Sequence, residues 1–185
     1  MQFMKTDSTF FKIGSEALDF LSTEHEYKRA YKQRSRLEEI LYHNYQTSIV
    51  LTFDFESQLN MDICKLDGAK PDPHCFYPSI RIEELAEAID YPLLQYPTEP
   101  EQYPLGPDWF PRLLADYADV LRSEKHRILD GDFSAPAQVK EYIERSERWV
   151  DDCNEYREKH AQEFQEYKLR RKKYLRKKSL RPDKP

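Results

Sequence analysis

Ser48-Ile49-Val50-Leu51-Thr52-Phe53-Asp54-Phe55, a break at Glu56-Ser57-Gln58, and then Leu59-Asn60-Met61-Asp62-Ile63-Cys64 is the stretch on which the fold turns. Ile49, Leu51, Phe53 and Phe55 alternate with smaller or polar residues, and so do Leu59, Met61 and Ile63. Successive side chains of a strand point to opposite faces, so each run is a strand with one apolar and one wet face, and together they form a hairpin. A two-residue turn would set Glu56 opposite Leu59 and mix the faces. A three-residue loop, Glu56 to Gln58, keeps them apart and pairs Phe55 with Leu59, Phe53 with Met61 and Leu51 with Ile63. The loop lacks the glycine such turns usually carry where φ is positive.

An apolar sheet face needs a cover, and the flanking sequence supplies helices. Phe10, Ile13, Ala17 and Leu21 fall at helical spacing behind Asp7 and Ser8 as caps. Ile82, Leu85, Ala86 and Ile89, with Glu83, Glu84 and Glu87 between them, read as a short amphipathic helix capped by Ser79. A stronger helix starts at Asp108, with Pro107 and Pro111 confined to its start. It carries Phe110, Leu113, Leu114, Tyr117, Leu121 and Ile128 on one face and closes at Gly131. Tyr27 to Asn44 fits either a helix or a strand, because Leu37, Ile40, Leu41 and Asn44 suit one and Ile40 and Tyr42 the other. Asp67 to Pro78 reads as a loop. Tyr91 to Pro107 repeats Tyr-Pro three times and favours extended polyproline II, its tyrosines packing back on the domain or offering a ligand to an aromatic groove.

From about Ala135 to Lys178 neither glycine nor any proline beyond Pro136 intervenes and charged helix formers dominate. Val139, Tyr142, Ser146, Trp149, Cys153, Tyr156, His160 and Tyr167 recur at steps of three and four, an aromatic seam nearly free of leucine. Such a seam suits a helix whose first half lies along its own domain and whose second half projects, more than a self-pairing coiled coil.

Charge is split along the chain. Residues 168 to 185 carry ten bases and one acid, a net of +9, while the whole chain of 185 residues is at -5, leaving about -14 for residues 1 to 167. Lys168, Arg170, Arg171, Lys172, Lys173, Arg176, Lys177 and Lys178 fall within eleven residues that contain no acid. Complementing a helix dipole accounts for two or three cations at a C-terminus; the surplus marks these eight as a partner-binding site. Either an acidic protein surface or a nucleic acid fits it, and a solvated tail is the bland reading.

Other chemistries find little footing. Asp54, Glu56 and Asp62 share the polar face of the hairpin, but a nuclease-type metal site needs an acid, one residue and a lysine, and Asp62 and Lys65 lie three apart on opposite faces. Cys64, Asp72, His74 and Cys75 lack zinc-ligand spacing. His25, His43, His126 and His160 stand alone, no serine sits in a Gly-x-Ser-x-Gly elbow, and four scattered glycines cannot cradle a phosphate. Three cysteines at unrelated spacings suit reduced thiols in the cytoplasm. No signal peptide and no apolar run of membrane-spanning length is evident.

Leu18-Asp19-Phe20-Leu21, the hairpin with its Phe53-Asp54-Phe55 step, Ile82-Glu83-Glu84-Leu85, and Leu113 to Leu121 closing on Leu129-Asp130-Gly131-Asp132 carry a resemblance. Over residues 10 to 132 the chain resembles a broad group of small bacterial α+β proteins, some of them similar to the immunity proteins of polymorphic toxin systems. The expectation is therefore an α+β fold: a short antiparallel sheet, hairpin or meander, packed by helices and extended by a long C-terminal helix. Residues 1–133 form the domain and 134–185 a charged helix with a basic tail. The expected function is non-enzymatic: an immunity-like or accessory subunit that binds a larger effector protein. The alternative is a nucleic-acid-associated factor of a bacterial defence system docking by its basic tail. No cofactor, metal, small-molecule substrate or membrane partner is expected.

Overall fold

The computed structural model describes residues 8–34, 37–54, 58–68, 76–93, 109–123 and 125–179. Five antiparallel strands form one sheet in chain order, β1 (Lys28–Arg34), β2 (Leu37–His43), β3 (Thr47–Asp54), β4 (Gln58–Lys65) and β5 (Ser79–Arg81). Helices α1 (Thr9–Ala17) and α2 (Asp19–Thr23) precede the sheet, and α3 (Ile82–Ala88), α4 (Trp109–Arg122), α5 (Ala137–Lys159) and α6 (Ala161–Ser179) follow it. The fold is α+β, a meander covered on one face.

That face is the one the alternation marks. Ile40 and Tyr42 of β2, Ile49 and Leu51 of β3, Leu59, Met61 and Ile63 of β4 and Ile80 of β5 are buried together with Phe10, Leu18 and Leu21 and with Leu113, Leu114, Tyr117 and Leu121 of α4. Gly14 lets α1 sit close, since a Cβ there would lie 2.8 Å from Ile40 Cδ1. Phe10, Phe53 and Phe110 close one end as an aromatic cluster, with ring centroids 5.4 to 5.7 Å apart. Ser8 caps α1, its hydroxyl accepting from Phe11 N–H at 3.4 Å.

Several expectations are corrected. The β3–β4 register is displaced by two: Phe53 faces Leu59, Leu51 faces Met61 and Ile49 faces Ile63, so that residues 55–57 join the strands. A shift of two preserves every face, so the alternation cannot distinguish the two registers. Tyr27 to Asn44 resolves into strands: Glu38, Ile40 and Tyr42 alternate as buried residues with Leu37, Glu39 and Leu41. A glutamate on the apolar face and leucines on the other hide that period in the sequence.

Ser79 is not a helix cap but the first residue of the three-residue strand β5, its N–H donating to Ser146 Oγ at 2.9 Å. The start of α3 is held instead by Glu84, whose Oε2 accepts from Arg81 N–H at 3.0 Å. Helix α4 stops at Arg122, and Ile128 belongs to a separate 3-10 turn, Ile128–Asp130, which Gly131 closes at φ 83°. That turn is clasped from three directions. Tyr27 Oη (3.1 Å) and Asn44 Nδ2 (3.4 Å) donate to Leu129 C=O, and Thr47 Oγ1 donates to Ile128 C=O at 2.9 Å.

The C-terminal helix is interrupted at His160, so it is two helices, α5 and α6, and it starts at Ala137. The Tyr156 carbonyl there faces both the backbone N–H of His160, at 3.1 Å, and its ring Nδ1, at 2.8 Å. The chain forms two compact units, Met1–Glu147 and Arg148–Pro185. The first runs past residue 133 because Val139 and Ile143 of α5 are buried in the hydrophobic core. The Tyr-Pro repeats at Tyr96 and Tyr103 and most of the loop after Gly68 lie outside the described residues; Tyr91 and Leu93 pack against the core.

Candidate partner-binding surface

All eight expected site residues lie on α6. Arg170, Arg171 and Lys172 are exposed, whereas the side chains of Lys168, Lys173, Arg176, Lys177 and Lys178 lie outside the described set. Helical geometry fixes how the eight positions are spread. At about 100° per residue, the positions from 168 to 178 are distributed around the whole circumference of the helix rather than along one stripe. A helix charged all round has no apolar face to lay on a lipid surface. Nor is any helix among the described residues long and apolar enough to cross a membrane. Helix α6 offers a positive rod, and the exposed Tyr167 and Leu169 stand at its start.

Among the described residues Arg170 is engaged within the helix: its Nη2 meets Glu166 Oε2 at 2.8 Å, an i,i+4 pair between exposed side chains. Such a pair is worth only about 0.3–0.5 kcal/mol and a partner's carboxylate displaces it readily. In the second unit Asp151, Asp152, Glu155, Glu158, Glu163 and Glu166 all precede the first cation of the block. That unit is thus an acidic segment followed by a basic one, against a first unit with a net charge of about -11.

The remaining sequence candidates have other roles. Asp62 is half-buried opposite Arg81, and burial raises its carboxyl above the usual range while Arg81 opposes the shift. Lys65 is committed elsewhere: its ammonium lies 2.8 Å from Glu147 Oε1, and that hydrogen bond raises its pKa. A lysine held this way does not serve a metal-bound reaction centre with Asp62. Glu56, Asp72, His74 and Cys75 and the side chain of Asp54 lie outside the described residues. Among the described residues no cluster of His, Cys, Asp and Glu has the arrangement of a metal site.

Burial pushes the Cys64 thiol up to about 11, away from thiolate chemistry. His126 is a core residue, its Nε2–H donating to Val120 C=O at 2.8 Å while Nδ1 accepts from Ile128 N–H at 3.4 Å. His25 meets the edge of the Phe20 ring, and His160 stacks on Tyr156 at 4.1 Å.

Two polar features escaped the sequence reading. Glu38 is buried on the apolar face, accepting from the Ser8 hydroxyl and from Gln33 Nε2 at 3.2 Å. Nearby, the hydroxyls of Tyr31, Tyr42 and Ser15 are buried without a hydrogen bond among the described residues, and burial raises both tyrosines. The Glu38 carboxylate is tied to the Ser8 hydroxyl, at the start of α1. The second feature is β1 at the sheet edge, where Lys28 and Arg29 are exposed and lie over the Tyr45 and Phe11 rings at 5.7 and 5.5 Å. Its signal was present as Lys28, Arg29 and Lys32, and charged side chains on an edge strand block edge-to-edge pairing. No protein-family model, no curated protein and no solved structure matches this chain.

Proposed function

We propose that this chain is a non-enzymatic binding protein, an immunity-like or accessory subunit that holds a larger acidic effector protein through α6. The observation that carries this reading is the block of eight cations from Lys168 to Lys178, with no acid among them, on a chain that is otherwise acidic. A cationic rod steers an acidic surface toward it, and Tyr167 and Leu169 add the apolar contact that a protein interface uses. Nucleic acid is the alternative partner, and the salt dependence of its binding separates the two readings.

Two measurements test the proposal: titration of a mixed-sequence duplex at low salt and at about 150 mM salt, where screening reaches about 8 Å, and co-purification with the product of the adjacent gene. The expected results are negligible duplex binding at the higher salt, and co-purification that is lost when Arg170, Arg171, Lys172 and Lys173 are changed to Gln. Sub-micromolar duplex binding at that salt, abolished by the same changes and with a salt slope reduced in proportion, would establish the nucleic-acid reading instead.

A further inference from the structure

Strand β1 stands first in the sheet and, among the described residues, pairs with β2 alone. Its seven residues, Lys28–Arg34, offer about 23 Å of outer edge, whereas β5 at the opposite side of the sheet has three residues. A long open edge is a template for a further strand, and side-chain charge decides which strand it accepts. Lys28–Arg34 contains no acid, within a first unit whose net charge is about -11. By alternation Lys28 and Lys32 stand on one face of β1 and Arg29 on the other. Lys28 and Arg29 are exposed and lie over the Tyr45 and Phe11 rings at 5.7 and 5.5 Å. A ring steadies a cation without neutralising its charge, so both faces of the edge present fixed positive groups. The same edge of a second copy would set cation against cation, whereas an acidic strand meets its complement on either face.

We propose that the outer edge of β1 receives an acidic, extended peptide segment of a partner protein as a sixth strand of the sheet. Backbone hydrogen bonds along the edge hold the segment, and side chains of alternating parity select it. Acids four residues apart on the incoming strand face Lys28 and Lys32. Residues of the other parity lie beside Tyr31, whose half-buried ring has its centroid 4.8 Å from that of Phe11, so an apolar side chain suits that face. The cations thus have two consequences from one arrangement: they oppose association of like edges and favour an acidic strand. The surface belongs to the first unit and does not rest on the reading of α6.

The probe is a synthetic peptide of alternating Glu and Val, long enough to span β1, titrated calorimetrically into the full chain at about 150 mM salt. Amide hydrogen exchange of the mixture locates the contact. A chain with Arg170, Arg171, Lys172 and Lys173 changed to Gln controls for adhesion of the peptide to α6. The expected result is saturable binding that this control retains, with slowed exchange at the amides of Lys28–Arg34. Lys28→Gln with Lys32→Gln should weaken it about tenfold, the loss expected for two cross-strand ion pairs. A peptide of alternating Lys and Val should not bind, a comparison that needs no variant of the protein. Absence of binding by the Glu peptide overturns the proposal, as does binding that vanishes in the α6 control or that leaves exchange in β1 unchanged. Equal binding of the Lys peptide, or of the native chain and the doubly substituted one, refutes the charge selection and the proposal with it. None of these outcomes bears on whether α6 holds the effector.

Discussion

Gly131→Ala should destabilise the first unit by more than a left-handed backbone alone explains. Gly131 and Gly68 share φ 83°, a conformation that costs an L-residue about 1–2 kcal/mol. Their surroundings differ. A Cβ at Gly68 meets nothing within 4 Å, whereas at Gly131 it would lie 2.7 Å from Gln46 Cβ and 3.0 Å from Gln46 Oε1. Gln46 has little room to yield, because its N–H donates to Asn44 Oδ1 at 2.8 Å and its carbonyl accepts from Leu66 N–H at 2.8 Å. Forcing a methyl into a packed contact adds about 1–3 kcal/mol.

Gly68→Ala therefore measures the backbone contribution alone, and Gly131→Ala that contribution plus the contact, roughly 3 kcal/mol in all. At about 3 °C per kcal/mol for a unit of this size, the melting temperatures should fall by about 3–6 °C and about 9 °C. Urea unfolding followed by tryptophan fluorescence gives both free energies. In a double-mutant cycle, Gln46→Gly should recover the contact share, because the clash is with the Gln46 Cβ itself. Equal costs for the two alanines, or no coupling to position 46, would refute the docking of the 128–131 turn on the β2–β3 connection.

Three further outcomes follow from the same reasoning. Ile143→Ala should cost about 2–4 kcal/mol, and truncation after Phe133 should abolish cooperative unfolding, whereas a chain ended at Gln165 should melt as the full chain does; calorimetry of the three reads the boundary directly. His126 is kept neutral by burial, which lowers its pKa, so the unfolded chain binds the proton more readily. Its share of stability is intact above the unfolded value of about 6.5 and is lost as pH falls below it, by at most about 1.4 kcal/mol per pH unit. His126→Gln should flatten that acid limb in urea titrations, and an unchanged slope would assign the limb to other groups. Calorimetric titration with Mg²⁺ or Mn²⁺ should give no saturable heat for the native chain or for Asp62→Asn, and a micromolar site lost on that substitution would revive metal chemistry on the hairpin.

The alternation of Ile49 to Phe53 and Leu59 to Ile63 and the 3.6-residue spacing in Phe10 to Ala17 and in Leu113 to Leu121 were enough to specify a sheet covered by helices on one face, because burial imposes those periods directly, whereas the first helix, expected to run to Leu21, divides at Leu18 into α1 and α2. The cationic block was equally legible, since charge is a property of composition. What tertiary structure alone decided is where the period is masked or indifferent. Glu38 sits on the apolar face because Ser8 and Gln33 reach it from outside its own strand, and no local pattern announces that. The two-residue register shift leaves every face unchanged, so the alternation alone does not select it. A three-residue strand such as β5 carries too few residues for a period and exists because Asp62 to Cys64 offer it an edge. The turn that closes at Gly131 is held by Tyr27, Asn44 and Thr47, whose hydrogen bonds span 81 to 102 residues of chain. Faces and charge are written locally; register, caps and buried polar partners depend on which distant groups arrive together.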